Sequence, residues 1–85
     1  MINEKILSKY SILPFEKFKM QYDNVNENSL LITYYLEFLN ETDYLAMKLA
    51  EGLITKEDKR DEFEARQFCR DEINRLSKEV ITDKE

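Results

Sequence analysis

The chain has 85 residues, 36% of them charged, with a net charge of −5, one cysteine and no histidine. That length allows one domain and one small core, the lone Cys69 excludes an internal disulfide, and one cysteine without histidine cannot build a zinc site. The negative balance repels phosphate backbones and argues against nucleic-acid binding, while so small and charged a chain is expected to oligomerise or dock on a protein partner.

Residues 3–13 fit a short helix with Asn3 as its cap, and Pro14 steers Leu13 away from helical backbone, so a break falls there. After the break, Phe15, Phe18 and Tyr22 fit a helix, whereas Phe18, Met20 and Tyr22 alternate as in a strand, and both readings stay open. The polar residues 23–29 read as a loop. Leu30, Tyr34 and Phe38 repeat every four residues, as do Leu31, Tyr35 and Leu39, which favours a helix capped by Asn28 or Ser29; the composition of residues 30–35 also suits a strand.

This helix continues or bends at Asn40 and Glu41 into a second, capped by Thr42, started at Asp43 and ended by a left-handed Gly52. Leu53 and Ile54 then supply the apolar contact that often follows such a glycine. Apolar residues surround most of the helix between these signals, so it is expected to be the most buried element. Thr55 and Asp58 resemble a capping box, and a long helix starts near Lys56 and runs to about residue 81. On it Ala65, Cys69, Ile73, Leu76 and Val80 form one core-facing stripe. Phe68 flanks the stripe and Phe63 lies off it, covered by another segment or free for a partner. Arg66, Arg70 and Glu62, spaced three and four apart, fit pairing on the helix surface.

The expected architecture is an all-α single domain spanning 1–85. Residues 1–28 supply short N-terminal elements and a loop, 29–51 a helical region, and 55–81 a long C-terminal helix packed antiparallel on it. No apolar run is long enough to span a membrane, and residues 1–15 lack the core of a signal peptide, so the reading is a soluble protein of the cytoplasm, or one assembled there. Catalysis is not expected: the commonest general base is missing, Cys69 has no activating partner, and Asp61 and Glu64 fit a solvated face better than a metal site. No cofactor is expected.

Charge is uneven along the chain. Residues 1–22 carry four lysines against two glutamates, and residues 23–43 carry five carboxylates with no base. Glu37, Glu41 and Asp43 close this acidic belt.

Thr42, Asp43 and Tyr44 before an apolar helix, Lys48 within it, Ala50, Glu51 and Gly52 at its end, and Arg66, Gln67, Arg70, Glu72, Ile73, Asn74 and Leu76 closing the next form a recognisable pattern. It resembles a segment of small helical proteins encoded in tail and baseplate gene modules of phages and prophages of Gram-positive bacteria. The resemblance covers residues 39–77 and departs at Cys69, where an aromatic commonly stands. It implies a non-catalytic protein acting in tail structure or assembly, in the host cytoplasm or incorporated into a virion, with a tail component as partner; such a role needs an apolar contact, for which Phe63 and Phe68 are the candidates. A second reading is a small acidic inhibitor of a host defence nuclease, of the anti-CRISPR type, presenting Glu37, Glu41 and Asp43 to a nucleic-acid groove. A DNA-binding regulatory role is disfavoured, because no turn between helices leads into a basic recognition face.

Overall fold

The computed structural model describes residues 2–83, except for the side chains of residues 79–83. Four helices follow one another: α1 (Glu4–Lys9), α2 (Phe15–Lys19), α3 (Glu27–Ala50) and α4 (Arg60–Asp83). The architecture is the expected all-α one, with α3 and α4 packed as a long helical hairpin. Arg66 meets Thr42 while Phe68 meets Tyr35, so α4 advances as α3 recedes. Residues 15–19, open to either reading from their pattern, are helical.

Local chemistry sets most boundaries. The Asn3 side chain accepts from the Lys5 amide at 2.8 Å and caps α1 as expected. Both α1 and α3 end in the same motif, in which the second residue past the cap bonds back to the third-last helical carbonyl. At the end of α3, Leu53 N donates to Lys48 O (2.9 Å) and Gly52 N to Leu49 O (3.1 Å), with Gly52 at φ +76°. At the end of α1, Ile12 N donates to Leu7 O (2.8 Å) and Ser11 N to Ser8 O (3.1 Å), with Ser11 in the left-handed position at φ 58°. Here the accompanying apolar contact is buried, because Leu7 and Ile12 both belong to the core. After Gly52 that expected contact is weak: Leu53 is 67% exposed and Ile54 half-buried.

Three expected boundaries move. The α3 cap is Asn26, whose side chain accepts from the amides of Asn28 and Ser29, in place of Asn28 or Ser29 themselves. Thr42 caps nothing: α3 runs unbroken through it, and its hydroxyl donates back to Phe38 O at 2.8 Å. No glycine or proline interrupts residues 27–50, and a threonine with a back-bonded hydroxyl fits inside a helix as well as before one. Thr55 and Asp58 do make the reciprocal capping pair, with Thr55 N donating to Asp58 Oδ2 and Asp58 N to Thr55 Oγ1. That pair closes a turn, and regular helix begins only at Arg60.

The core sits where the N-terminal segment lies across the hairpin. Ile6 and Leu7 of α1, Ile12, and Phe15 and Phe18 of α2 cluster with Leu30, Tyr34 and Phe38 of α3 and Ala65, Cys69 and Leu76 of α4. Rings run through it in series: Phe15 and Phe18 approach Tyr34 at 5.4 and 5.1 Å, Tyr34 neighbours Tyr35, and Tyr35 meets Phe68 edge-on at 5.8 Å. The Tyr34 hydroxyl donates to Leu13 O at 2.6 Å, giving the carbonyl just before Pro14 a partner inside the fold.

The expectation that residues 43–50 form the most buried stretch is wrong. Leu45 is buried there, but Met47 is 65% exposed and Tyr44 45%, because α1 and α4 cover only one side of this end of α3. Tyr34, Phe38, Thr42 and Leu45 form the fully enclosed line. On α4, Ala65, Cys69 and Leu76 are buried and Ile73 half-buried, as the stripe requires. Val80 lies outside the described side chains.

Candidate protein-contact surface

Two charged side chains share the buried stripe of α4. At about 100° per residue Glu62 projects between Ala65 and Ile73, and Arg66 lies about 20° past Ile73. Both are 6% exposed. The expected surface pairing between them does not form, because each reaches another element. Arg66 crosses to α3, where Nη1 donates to Thr42 Oγ1 (2.7 Å) and Leu39 O (2.9 Å), and Nη2 meets Asp43 Oδ1 (3.0 Å). Glu62 instead accepts from Lys9 Nζ at 3.0 Å and from the Tyr10 hydroxyl at 3.1 Å, fastening the end of α1 to α4. Among the described residues no buried side-chain nitrogen or oxygen lacks a hydrogen-bond partner.

Burial acts on these groups first. It raises the Glu62 pKa more than any other single influence, yet the hydrogen bonds from Lys9 and Tyr10 together leave the carboxyl below its ordinary value. The hydrogen bond to Glu62 raises Lys9 in turn. Burial also pushes the Cys69 thiol up to about 12, so the side chain is a neutral core group and no nucleophile. No cluster of three or more histidine, cysteine or acidic side chains suited to a metal ion occurs among the described residues.

The residues singled out as partner contacts fall on three surfaces. Phe63 is half-buried in a groove of about 480 Å³ between α3 and α4, where Ala46 and Leu49 share the floor and Lys56, Arg60 and Arg70 stand on the rim. Phe68, five residues on, points about 140° away. It lines a smaller groove of about 280 Å³ with Ile2, Ile6, Asp61 and Glu64. The acidic belt also divides. Glu37 and Glu41 are exposed on one edge of α3, one turn apart, while Asp43 lies on the opposite edge and is held by Arg66.

The cationic rim is the feature that sequence reasoning missed. Lys56, Arg60 and Arg70 are spread over 15 positions that also carry five carboxylates, so composition hides them. Only the packing of α4 on α3 turns these three toward one apolar floor.

Among the described residues no helix is long and apolar enough to cross a membrane. No protein-family model matches the chain, and comparisons with curated proteins and with solved structures likewise find no match.

Proposed function

We propose that this chain is a non-catalytic phage or prophage protein that works in tail structure or tail assembly through protein–protein contacts, in the host cytoplasm or within the virion. The observation that carries the contact itself is the Phe63 groove: an aromatic ring half-open between two long helices, with apolar neighbours below and cations around it. Aromatic anchors in such settings supply much of the energy of protein interfaces. The phage setting rests on the resemblance over residues 39–77.

The test is affinity capture of the tagged protein from a phage-producing culture, with mass spectrometry of what is retained. Tail or baseplate components are expected with the wild type and are lost with Phe63→Ser, while helicity by circular dichroism is unchanged. Equal retention by the folded variant removes Phe63 as the anchor, and recovery of no tail component removes the tail reading. The nuclease-inhibitor reading keeps one supporting feature, the exposed pair Glu37 and Glu41, which has no ion partner among the described residues. It predicts retention of a nuclease that neutralising those two carboxylates abolishes.

A further inference from the structure

The groove around Phe63 and the outer edge of α3 are complementary in charge and in apolar content. Four cations line the groove, Lys56, Arg60, Arg66 and Arg70, against one carboxylate, Glu64, in a chain whose net charge is −5. Arg66 is committed to Asp43. The other three are available: Lys56 has no ion partner among the described residues, Arg70 donates to the neutral Gln67, and Arg60 meets Glu57 at 3.3 Å in an exposed pair. Such exposed pairs are worth little and exchange readily.

The outer edge of α3 offers the opposite pattern. Glu37 and Glu41 stand one turn apart without an ion partner among the described residues, with Tyr44 (45% exposed) about 40° from their midpoint and Leu36 (46% exposed) about 120° from it, at the far margin of the outward face. At 1.5 Å per residue Leu36 to Tyr44 spans about 12 Å, within the roughly 15 Å from Arg60 to Arg70.

We propose that the groove takes this acidic edge of α3 from a second copy of the chain, so that Leu36 and Tyr44 meet Phe63 while Glu37 and Glu41 meet the cations of the rim. The proposal rests on the reading of the Phe63 groove as a protein contact and names its occupant. The two surfaces lie on different sides of α3: Ala46 and Leu49 in the groove project about 160° and 100° from the midpoint of Glu37 and Glu41. One copy therefore cannot fill its own groove, and a copy that donates its edge keeps its groove open for the next. The contact is head-to-tail, and it builds a ring or a filament in preference to a closed dimer.

Sedimentation of the purified full chain over a concentration series at low salt tests this. The wild type is expected to gain mass with concentration past the dimer. Glu37→Lys with Glu41→Lys, and separately Arg60→Glu with Arg70→Glu, each weaken association by about tenfold or more. All four positions are exposed, so both variants keep wild-type helicity. An equimolar mixture of the two variants regains association, because the reversed edge of one then meets the reversed groove of the other, while the native edge of the second meets the native groove of the first. A damaged fold could not produce that recovery. A wild type that stays monomeric, one that stops at a dimer, or a mixture that stays apart overturns the proposal. If the chain is monomeric yet Phe63→Ser still loses tail components in the capture experiment, the tail reading stands and the second-copy occupant falls. Self-association without capture of any tail component leaves the second-copy contact standing and removes the tail reading.

Discussion

Replacing Arg66 by methionine and Thr42 by valine, singly and together, tests whether the polar link inside the hairpin holds α3 and α4 together. Arg66 is 6% exposed and gives hydrogen bonds to Thr42 Oγ1, Leu39 O and Asp43. A hydrogen bond to a charged group contributes roughly 1.5–3 kcal/mol, but freeing the guanidinium from burial returns part of that. Asp43 is 59% exposed on its side chain and adds little. Arg66→Met orphans no donor, since the Thr42 hydroxyl keeps Phe38 O, and we expect a loss of about 2 kcal/mol. Thr42→Val leaves the buried cation facing a methyl group, also at about 2 kcal/mol.

The double variant replaces a polar contact by an apolar one, so its cost should fall short of the summed single costs by about 1–2 kcal/mol. Urea unfolding followed by circular dichroism resolves this, because an 85-residue domain has only about 4–13 kcal/mol in all. Additivity within about 0.5 kcal/mol, or a neutral Thr42→Val, would refute the link.

Glu62 makes stability depend on acid. Its folded pKa is depressed, so its contribution is present above the unfolded value and lost as pH falls through the folded one. Stability measured from about pH 6 to pH 3 should therefore fall less steeply for Glu62→Gln than for the wild type, and parallel curves would sink the idea. The two left-handed corners predict opposite signs. Ser11→Gly should stabilise and Gly52→Ala destabilise, each by about 1 kcal/mol in urea titrations, and because open space surrounds the Gly52 position its cost is one of backbone alone. Cys69 should resist a thiol reagent in the folded chain by roughly a thousandfold relative to the urea-unfolded one, and ready labelling of the native protein would contradict its burial.

The features legible in the sequence are those decided within a few residues. Asn3 capping α1, the break at Pro14, the left-handed Gly52 and the Thr55–Asp58 pair each depend on one side chain and its neighbouring amides. The start of α3 is harder to place, because Asn24, Asn26, Asn28 and Ser29 are all competent caps and only the final register chooses among them. Thr42 misleads for a related reason: its hydroxyl suits a cap or a helix interior, and a guanidinium 24 positions away decides between them.

Glu62 and Arg66 could have been found, since both project onto the apolar stripe or its margin, where a charge demands a partner. Their partners on α1 and α3 could not. Phe63 stands out from its angle on α4, but the cations beside it become a surface only after the helices pack. Asp43 leaves the acidic belt for the same cause, because its direction on α3 points it at Arg66.

The molecule measures 44 × 28 × 16 Å, and its radius of gyration of 14.3 Å exceeds the roughly 12 Å of a compact chain of this length. A slab 16 Å thick holds a single layer of side chains, so no amide in it lies far from water. Protection against hydrogen exchange should then arise almost entirely from cooperative opening, with rates along α3 and α4 converging on one value set by global unfolding. The short α1 and α2, with 6 and 5 residues, are held by core side chains such as Leu7 and Phe18 but have few amides bonded within a helix, and they should exchange faster and as a separate group.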